Sequence, residues 1–386
     1  MIDLLLKRRS ADLIAALAVV TVLVTAAVTM ALTPISTEDG SALRTYLFDF
    51  FAGDSLTAFP SQSGSSLAYN GMYIADRFAA FFKLILYLAT VLVILLSSHY
   101  IKVEAEDHGE YFVMLLFALS GIMIMVSATD LISIYVGLEL MALAICVLVG
   151  FLKHDRRSNE SSLKYVILSA LSTCLMLYGI SLFYGLVGTT QLDALTAVLT
   201  GDRQTDIGHL RTDPAVVLAT LFLLAGLAFK IAAVPFHMWV PDVYEGAPTS
   251  ITAFMSVAPK AAGFAIMLRV FLLALEPLTD IWLLLVEVLA VATMAVGSLV
   301  ALVQTNIKRM LAYSSIAHAG FALLGLVAGG EEGIASVMLY LLIYTFMNLG
   351  MFALVVMMRE KDFSGEQIED YSGLSKQHPL LALLAL

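Results

Sequence analysis

Ten apolar runs, each close to the ~20 residues that a helix needs to cross a bilayer, follow one another along this chain with short polar breaks between them. They cover about 13–37, 84–98, 111–129, 131–150, 165–187, 214–240, 249–274, 281–303, 310–330 and 333–358. An eleventh opens at His378-Pro379 and is cut short at Leu386, so the chain reads as incomplete. The first run carries no charge and exceeds the ~7–15 residues of a signal-peptide core, which favours a retained helix over a cleaved leader. A chain of 386 residues that is 60% apolar and 13% charged cannot cover a soluble surface. Its formal charge of −10 argues against a nucleic-acid partner. Soluble enzyme, nucleic-acid binder and disordered chain are thus excluded, and an all-α polytopic membrane protein remains.

The loops set an expected orientation. With a cytoplasmic N-terminus, the inside segments hold Lys7, Arg8, Arg9, Lys102, Lys153, Arg156, Arg157, Lys308, Arg309, Arg359, Lys361 and Lys376. The outside segments hold only Arg44, Arg77, Arg203 and Arg211, so the positive-inside rule supports this orientation. The two long outside loops, about 38–76 and 188–213, are acidic and rich in Gly, Ser and Thr. The two cysteines, Cys146 and Cys174, lie in apolar runs and suggest neither a disulfide framework nor a metal site. No CxxC, HExxH, GxGxxG or Walker-type stretch marks a cofactor pocket.

Charges inside the runs carry the functional signal, because each costs several kcal/mol unless it faces the bundle interior or water. Glu139, Lys230 and Lys260 lie near the centres of their runs, too deep to reach the interface. Lys230 precedes Pro235 and Pro241, and proline removes a helical hydrogen bond, so a helix break is expected beside the lysine. Such breaks recur at ion sites in transporters. Lys164 lies closer to the cytoplasmic end, where either a pathway role or snorkelling is open. His318 suits proton exchange, or equally a core histidine bonded to a hydroxyl. Lys83 and Arg269 lie nearer helix ends and are expected to snorkel, and Glu287 to find a structural partner or a role in transport. A carboxylate and several lysines in a dry bundle form a chain of titratable groups that a moving partner can switch. Nothing in the set resembles a nucleophile–base pair.

Four motifs carry a resemblance: "GLELMAL" around Glu139, "SLKYVILSALST" around Lys164, "FKIAAVPFHMWVPDVYEGAPT" from Phe229 to Thr249, and "QTNIKRMLAYSSIAHAGF" from Gln304 to Phe321. Together they closely resemble the antiporter-like proton-translocating membrane subunits of respiratory complex I, the NADH–quinone oxidoreductase, and within that family the subunit N branch. The resemblance implies an antiporter-like helix bundle with inverted repeats and a discontinuous helix. It places peripheral helices over 11–33 and 78–98, a first five-helix repeat over 111–274 and a second, truncated one over 280–386. By the same resemblance Glu139 and Lys230 match the family's ion pair, Lys260 its central lysine, and Lys164 a lysine of this branch. His318 matches a link between half-channels. One further helix before Lys7 and a second broken helix with a channel lysine after Leu386 belong to the family pattern and are missing here.

The resemblance also implies no cofactor in this chain. NADH, FMN, iron–sulfur clusters and quinone belong to partner subunits, which are reached through other membrane subunits in a bacterial inner membrane. A subunit of a multisubunit sodium/proton antiporter shares the Glu-and-Lys set and is the main alternative, although "VPDVYEGAPT" favours complex I. A membrane-bound hydrogenase subunit and a silent scaffold are further readings.

Overall fold

The computed structural model describes residues 11–32, 66–103, 109–201, 213–359 and 365–384. Lys7, Arg8, Arg9, Arg44, Arg203, Arg211 and Lys361 of the loop count lie outside the described residues. Ten described helices are long and apolar enough to cross a membrane, one for each run in the sequence. They are α1 (Ala11–Leu32), α2 (Arg77–Val103), α3 (Glu110–Ser127), α4 (Leu131–Val149), α5 (Arg156–Val187), α7 (Pro214–Ile231), α9 (Thr249–Arg269), α10 (Thr279–Ala301), α11 (Ile307–Ala328) and α12 (Gly330–Met358). Shorter helices are α6 (Leu192–Thr200), α8 (Trp239–Gly246), α13 (Leu374–Gln377) and α14 (Pro379–Leu384).

Polar residues at the breaks start the helices. Asp130 caps α4 through the amides of Ile132 and Ser133, and Asp155 caps α5 through Arg157. Asp213 precedes Pro214 at the start of α7, and Asn306 caps α11 through Lys308 and Arg309. One element departs from an all-helical reading. Ser66–Ala68 (β1) and Tyr73–Ala75 (β2) form an antiparallel hairpin with Leu67 opposite Ile74. It is tied to the α3–α4 corner by the Thr129 hydroxyl, which donates to the Gly71 carbonyl at 2.6 Å.

The chain builds one corner twice. Asp130 bridges to Gln191 after α5, and Asn306 bridges to Gln367 after α12. A Cβ on Gly121 of α3 would lie 2.5 Å from the Met141 nitrogen of α4, and one on Gly297 of α10 would lie 2.5 Å from the Ala317 nitrogen of α11. The pairs Gly121/Gly297, Asp130/Asn306, Met141/Ala317 and Gln191/Gln367 are all the same number of residues apart. The first corner lies on the hairpin face. Following the helices from there, the second opens on the opposite face.

Helix α9 is the centre of the bundle, with every residue from Thr249 to Arg269 buried. It runs through Pro259 without a break, and the Tyr344 hydroxyl donates to the Ser256 carbonyl beside the proline at 3.2 Å. Arg269 and Lys83 do not snorkel, contrary to the sequence expectation. Arg269 is 2% exposed and pairs with Asp76 at 2.9 Å. Lys83 is buried and donates to the Tyr73 hydroxyl at 2.6 Å. In both cases the segment around the hairpin brings a polar partner to the helix end. Glu287 is exposed on α10 and forms no ion pair among the described residues.

Candidate functional site

The prolines break the helix where the sequence places the break. α7 stops at Ile231, one residue after Lys230, and Ala232 turns left-handed at φ 66°. The chain resumes as α8 at Trp239. Backbone groups freed by the break find partners: the Trp239 indole donates to the Phe229 carbonyl at 3.1 Å, and the Val234 amide donates to the Thr293 hydroxyl at 2.9 Å. Lys230 is thereby held in the dry interior, 2% exposed, and its amine donates to the Ser169 hydroxyl of α5 at 2.7 Å. The amine also lies 5.5 Å from the Phe229 ring centre.

Glu139 of α4 is near enough to act on Lys230 through space, but the two form no ion pair within 4.0 Å. One Glu139 carboxylate oxygen is buried without a hydrogen-bond partner. In place of an ion pair, a serine occupies the lysine and one carboxylate oxygen is left open.

Lys260 follows Pro259 on α9 and is 2% exposed. Its amine donates to the Ser315 carbonyl at 2.8 Å and to the Ser315 hydroxyl at 2.7 Å. Next to it a cavity of about 10 Å³, room for about one water, is lined by Lys260, Ser315, His318, Tyr340 and Tyr344. His318 shares a 2.6 Å hydrogen bond with the Tyr340 hydroxyl through Nδ1. It also lines a groove of about 580 Å³ with Ser314 and Asn348. His318 therefore lines both the Lys260 cavity and the groove.

Lys164 lies apart from both sets. It is half-exposed and pairs with Glu160 at 2.9 Å and Asp242 at 2.8 Å. Asp242, on α8, also accepts from Arg309 of α11 at 2.9 Å, and Glu245 accepts from the same guanidinium nitrogen at 2.8 Å. Lys308, counted as a loop residue in the sequence, is in fact 2% exposed in the first turn of α11. Its amine donates to the carbonyls of Glu245 at 2.7 Å and Ala247 at 2.8 Å, capping the end of α8. The second half of the broken helix is thus gripped from α5 on one side and α11 on the other.

Burial alone would raise the Asp242 pKa, but hydrogen bonds from Lys164 and Arg309 outweigh it and hold the carboxyl below its usual value. Its contribution to holding α8 is therefore complete above about pH 4 and is lost as the pH falls below that. Protection of the α8 amides, taken relative to the intrinsic exchange rate at each pH, is expected to fall on acidification through that range in the wild type, and to be low already at neutral pH in Asp242→Asn. Equal exchange in the two proteins at neutral pH would remove Asp242 from this role.

Ser169, Ser315, Tyr340, Tyr344, Asp242 and Glu245 entered the site without being singled out in the sequence, and Lys308 and Arg309 were counted there only as loop charges. Most lie inside the motifs quoted above, but a hydroxyl in an apolar run carries no charge anomaly to reveal it. Among the described residues no group of three or more His, Cys, Asp or Glu could hold a metal ion.

A bundle of ten apolar helices, with one helix broken beside a buried lysine and a second lysine buried on the central helix, defines a multi-pass membrane protein of the antiporter-like class. The chain belongs to the family described as NADH:quinone oxidoreductase/Mrp antiporter, transmembrane, which residues 128–386 match.

It is 66% identical over 319 residues to NADH-quinone oxidoreductase subunit N 2 of Rhizobium meliloti, covering 83% of this chain and 65% of that protein. The chain spans 62–65% of the length of several curated relatives that it matches. A chain of respiratory complex I from Thermus thermophilus superposes with a TM-score of 0.68 at 30% identity, over 97% of this chain and 76% of that one. A chain of the Mrp complex from a Dietzia species superposes at 0.72 with 23% identity, over 97% of this chain and 69% of that one, a likeness of fold alone.

Proposed function

We propose that this chain is the proton-translocating part of a membrane subunit of an NADH–quinone oxidoreductase. The observation that carries the reading is the broken helix that holds Lys230, within reach of the half-open Glu139 carboxylate, in a chain 66% identical to a subunit N. Protons pass through Glu139, Lys230, Lys260 and His318, with water entering the cavity between Lys260 and His318. Lys164 serves the entry face by holding α8. The constant spacing of the two corners supports the two inverted repeats over 111–274 and 280–386. The redox groups (FMN, iron–sulfur clusters, NADH and quinone) reside in partner subunits, and energy reaches this chain through neighbouring membrane subunits. The hairpin face is the outer face of a bacterial inner membrane, and α1 begins on the cytoplasmic side.

The family description also names the Mrp antiporter, which leaves a second reading, a subunit of a sodium/proton antiporter. Inverted membrane vesicles carrying the full-length subunit with Glu139→Gln separate these. NADH–quinone reduction and the pH gradient are followed together. The proposal expects the gradient formed per NADH oxidised to fall. An unchanged gradient means a silent scaffold, and loss of sodium/proton exchange alone means an antiporter subunit.

A further inference from the structure

The common spacing that relates Gly121 to Gly297 and Met141 to Ala317 also relates Glu139 to Ser315. Each lies two residues before the backbone nitrogen that would stand 2.5 Å from a Cβ placed on the facing glycine. Where the first corner carries a carboxylate, the second carries a hydroxyl. That hydroxyl is not idle. Ser315 is 1% exposed, its Oγ donates to the Ala312 carbonyl at 2.7 Å, and the oxygen is left to accept from the Lys260 amine at 2.7 Å. The Ser315 carbonyl accepts a second hydrogen bond from the same amine.

We propose that Ser315 is a positioning residue for Lys260: it holds the amine at the wall of the cavity shared with His318, at the place Glu139 takes in the first repeat, without supplying a charge that would trap the proton. The inference rests on the proton-translocation reading. Among the described residues, the titratable groups around the Lys260–Ser315 contact are His318 of α11, Tyr244 of α8, and Tyr340 and Tyr344 of α12. No carboxylate is among them. A neutral acceptor orients an ammonium and still lets it give up a proton, whereas a carboxylate at the same distance stabilises the charged form strongly in a low-dielectric interior.

The test places Ser315→Ala, Ser315→Thr, Ser315→Asp and, as a control, Lys260→Ala in the assembled membrane complex. Native gels report assembly, and the gradient formed per NADH oxidised is followed from about pH 6 to about pH 9. Ser315→Asp is expected to lose about tenfold or more at neutral pH and to recover part of the loss as the pH rises. Ser315→Ala, which keeps only the carbonyl acceptor, is expected to lose about fivefold, with Ser315→Thr near the wild type.

If Ser315→Asp pumps like the wild type at every pH while Lys260→Ala does not, the serine is packing only and the proposal falls. If Ser315→Asp fails to assemble, the alanine variant decides: loss rescued by threonine supports the proposal, and wild-type pumping overturns it. If Lys260→Ala itself leaves the gradient intact, the reading of the site has failed, separately from the role of Ser315.

Discussion

Asp76→Ala is expected to lower the stability of the bundle by about 3–5 kcal/mol, because it strands a buried guanidinium. Arg269 closes α9 at 2% exposure, with Asp76 oxygens 2.9 and 3.2 Å from one of its nitrogens. Its other two nitrogens are buried without partners, so Asp76 is its one carboxylate among the described residues. The Phe78 ring, 5.0 Å away, adds a weaker cation–π contact. The carboxylate also accepts from the Ala79 amide at 2.7 Å, in the first turn of α2. Asp76→Asn keeps an acceptor for that amide and is expected to recover about 1 kcal/mol of the loss, which separates the cap from the charge. Asp76→Ala combined with Arg269→Leu is expected to be less harmful than Asp76→Ala alone, since no charge is left unpaired. Denaturation midpoints in mild detergent measure all three. A shift under about 1 kcal/mol for Asp76→Ala would show that the guanidinium finds water or another partner.

This ion pair also marks where reading the sequence stops. The ten spans are legible because run length alone decides them in a bilayer. The break after Lys230 is legible because Pro235 and Pro241 fall together. Pro259 is as conspicuous in the sequence, yet α9 continues through it, enclosed on all sides and supported by Tyr344 from α12. Arg269 was expected to snorkel because its partner lies 193 residues away, before α2, where no local pattern points to it.

The duplicated corner is hidden for a similar reason. Of the matched positions only the glycines and glutamines are identical; Asp130 becomes Asn306, Met141 becomes Ala317 and Glu139 becomes Ser315. A recurring corner keeps a backbone approach and a cap, which geometry reveals and composition does not. Within the site, Glu139, Lys230 and Lys260 announce themselves through the cost of burying charge. Ser169 and Ser315 do not, because a helical serine can satisfy itself on its own backbone and passes as filler in an apolar run.

Lys230→Ala is expected to reduce the NADH-driven proton gradient in vesicles by at least about tenfold, a modest share of what a positioned proton-transfer group contributes. The amine sits at the last turn before the break, with a neutral hydroxyl as its direct partner and Glu139 acting from beyond ion-pair distance. In that arrangement a small movement of the break toward or away from α4 changes how firmly the charge is held. Alanine removes charge, hydrogen bond and titration together, so its loss alone does not say which matters. Lys230→Arg separates them. Arginine keeps the charge and can still donate to Ser169, but it does not release a proton under physiological conditions. If Lys230 carries the proton, the arginine variant assembles as well as the wild type and pumps no better than alanine. If Lys230 only supplies a fixed field for Glu139, arginine restores most of the gradient, and the proton path must run past this helix end through other groups.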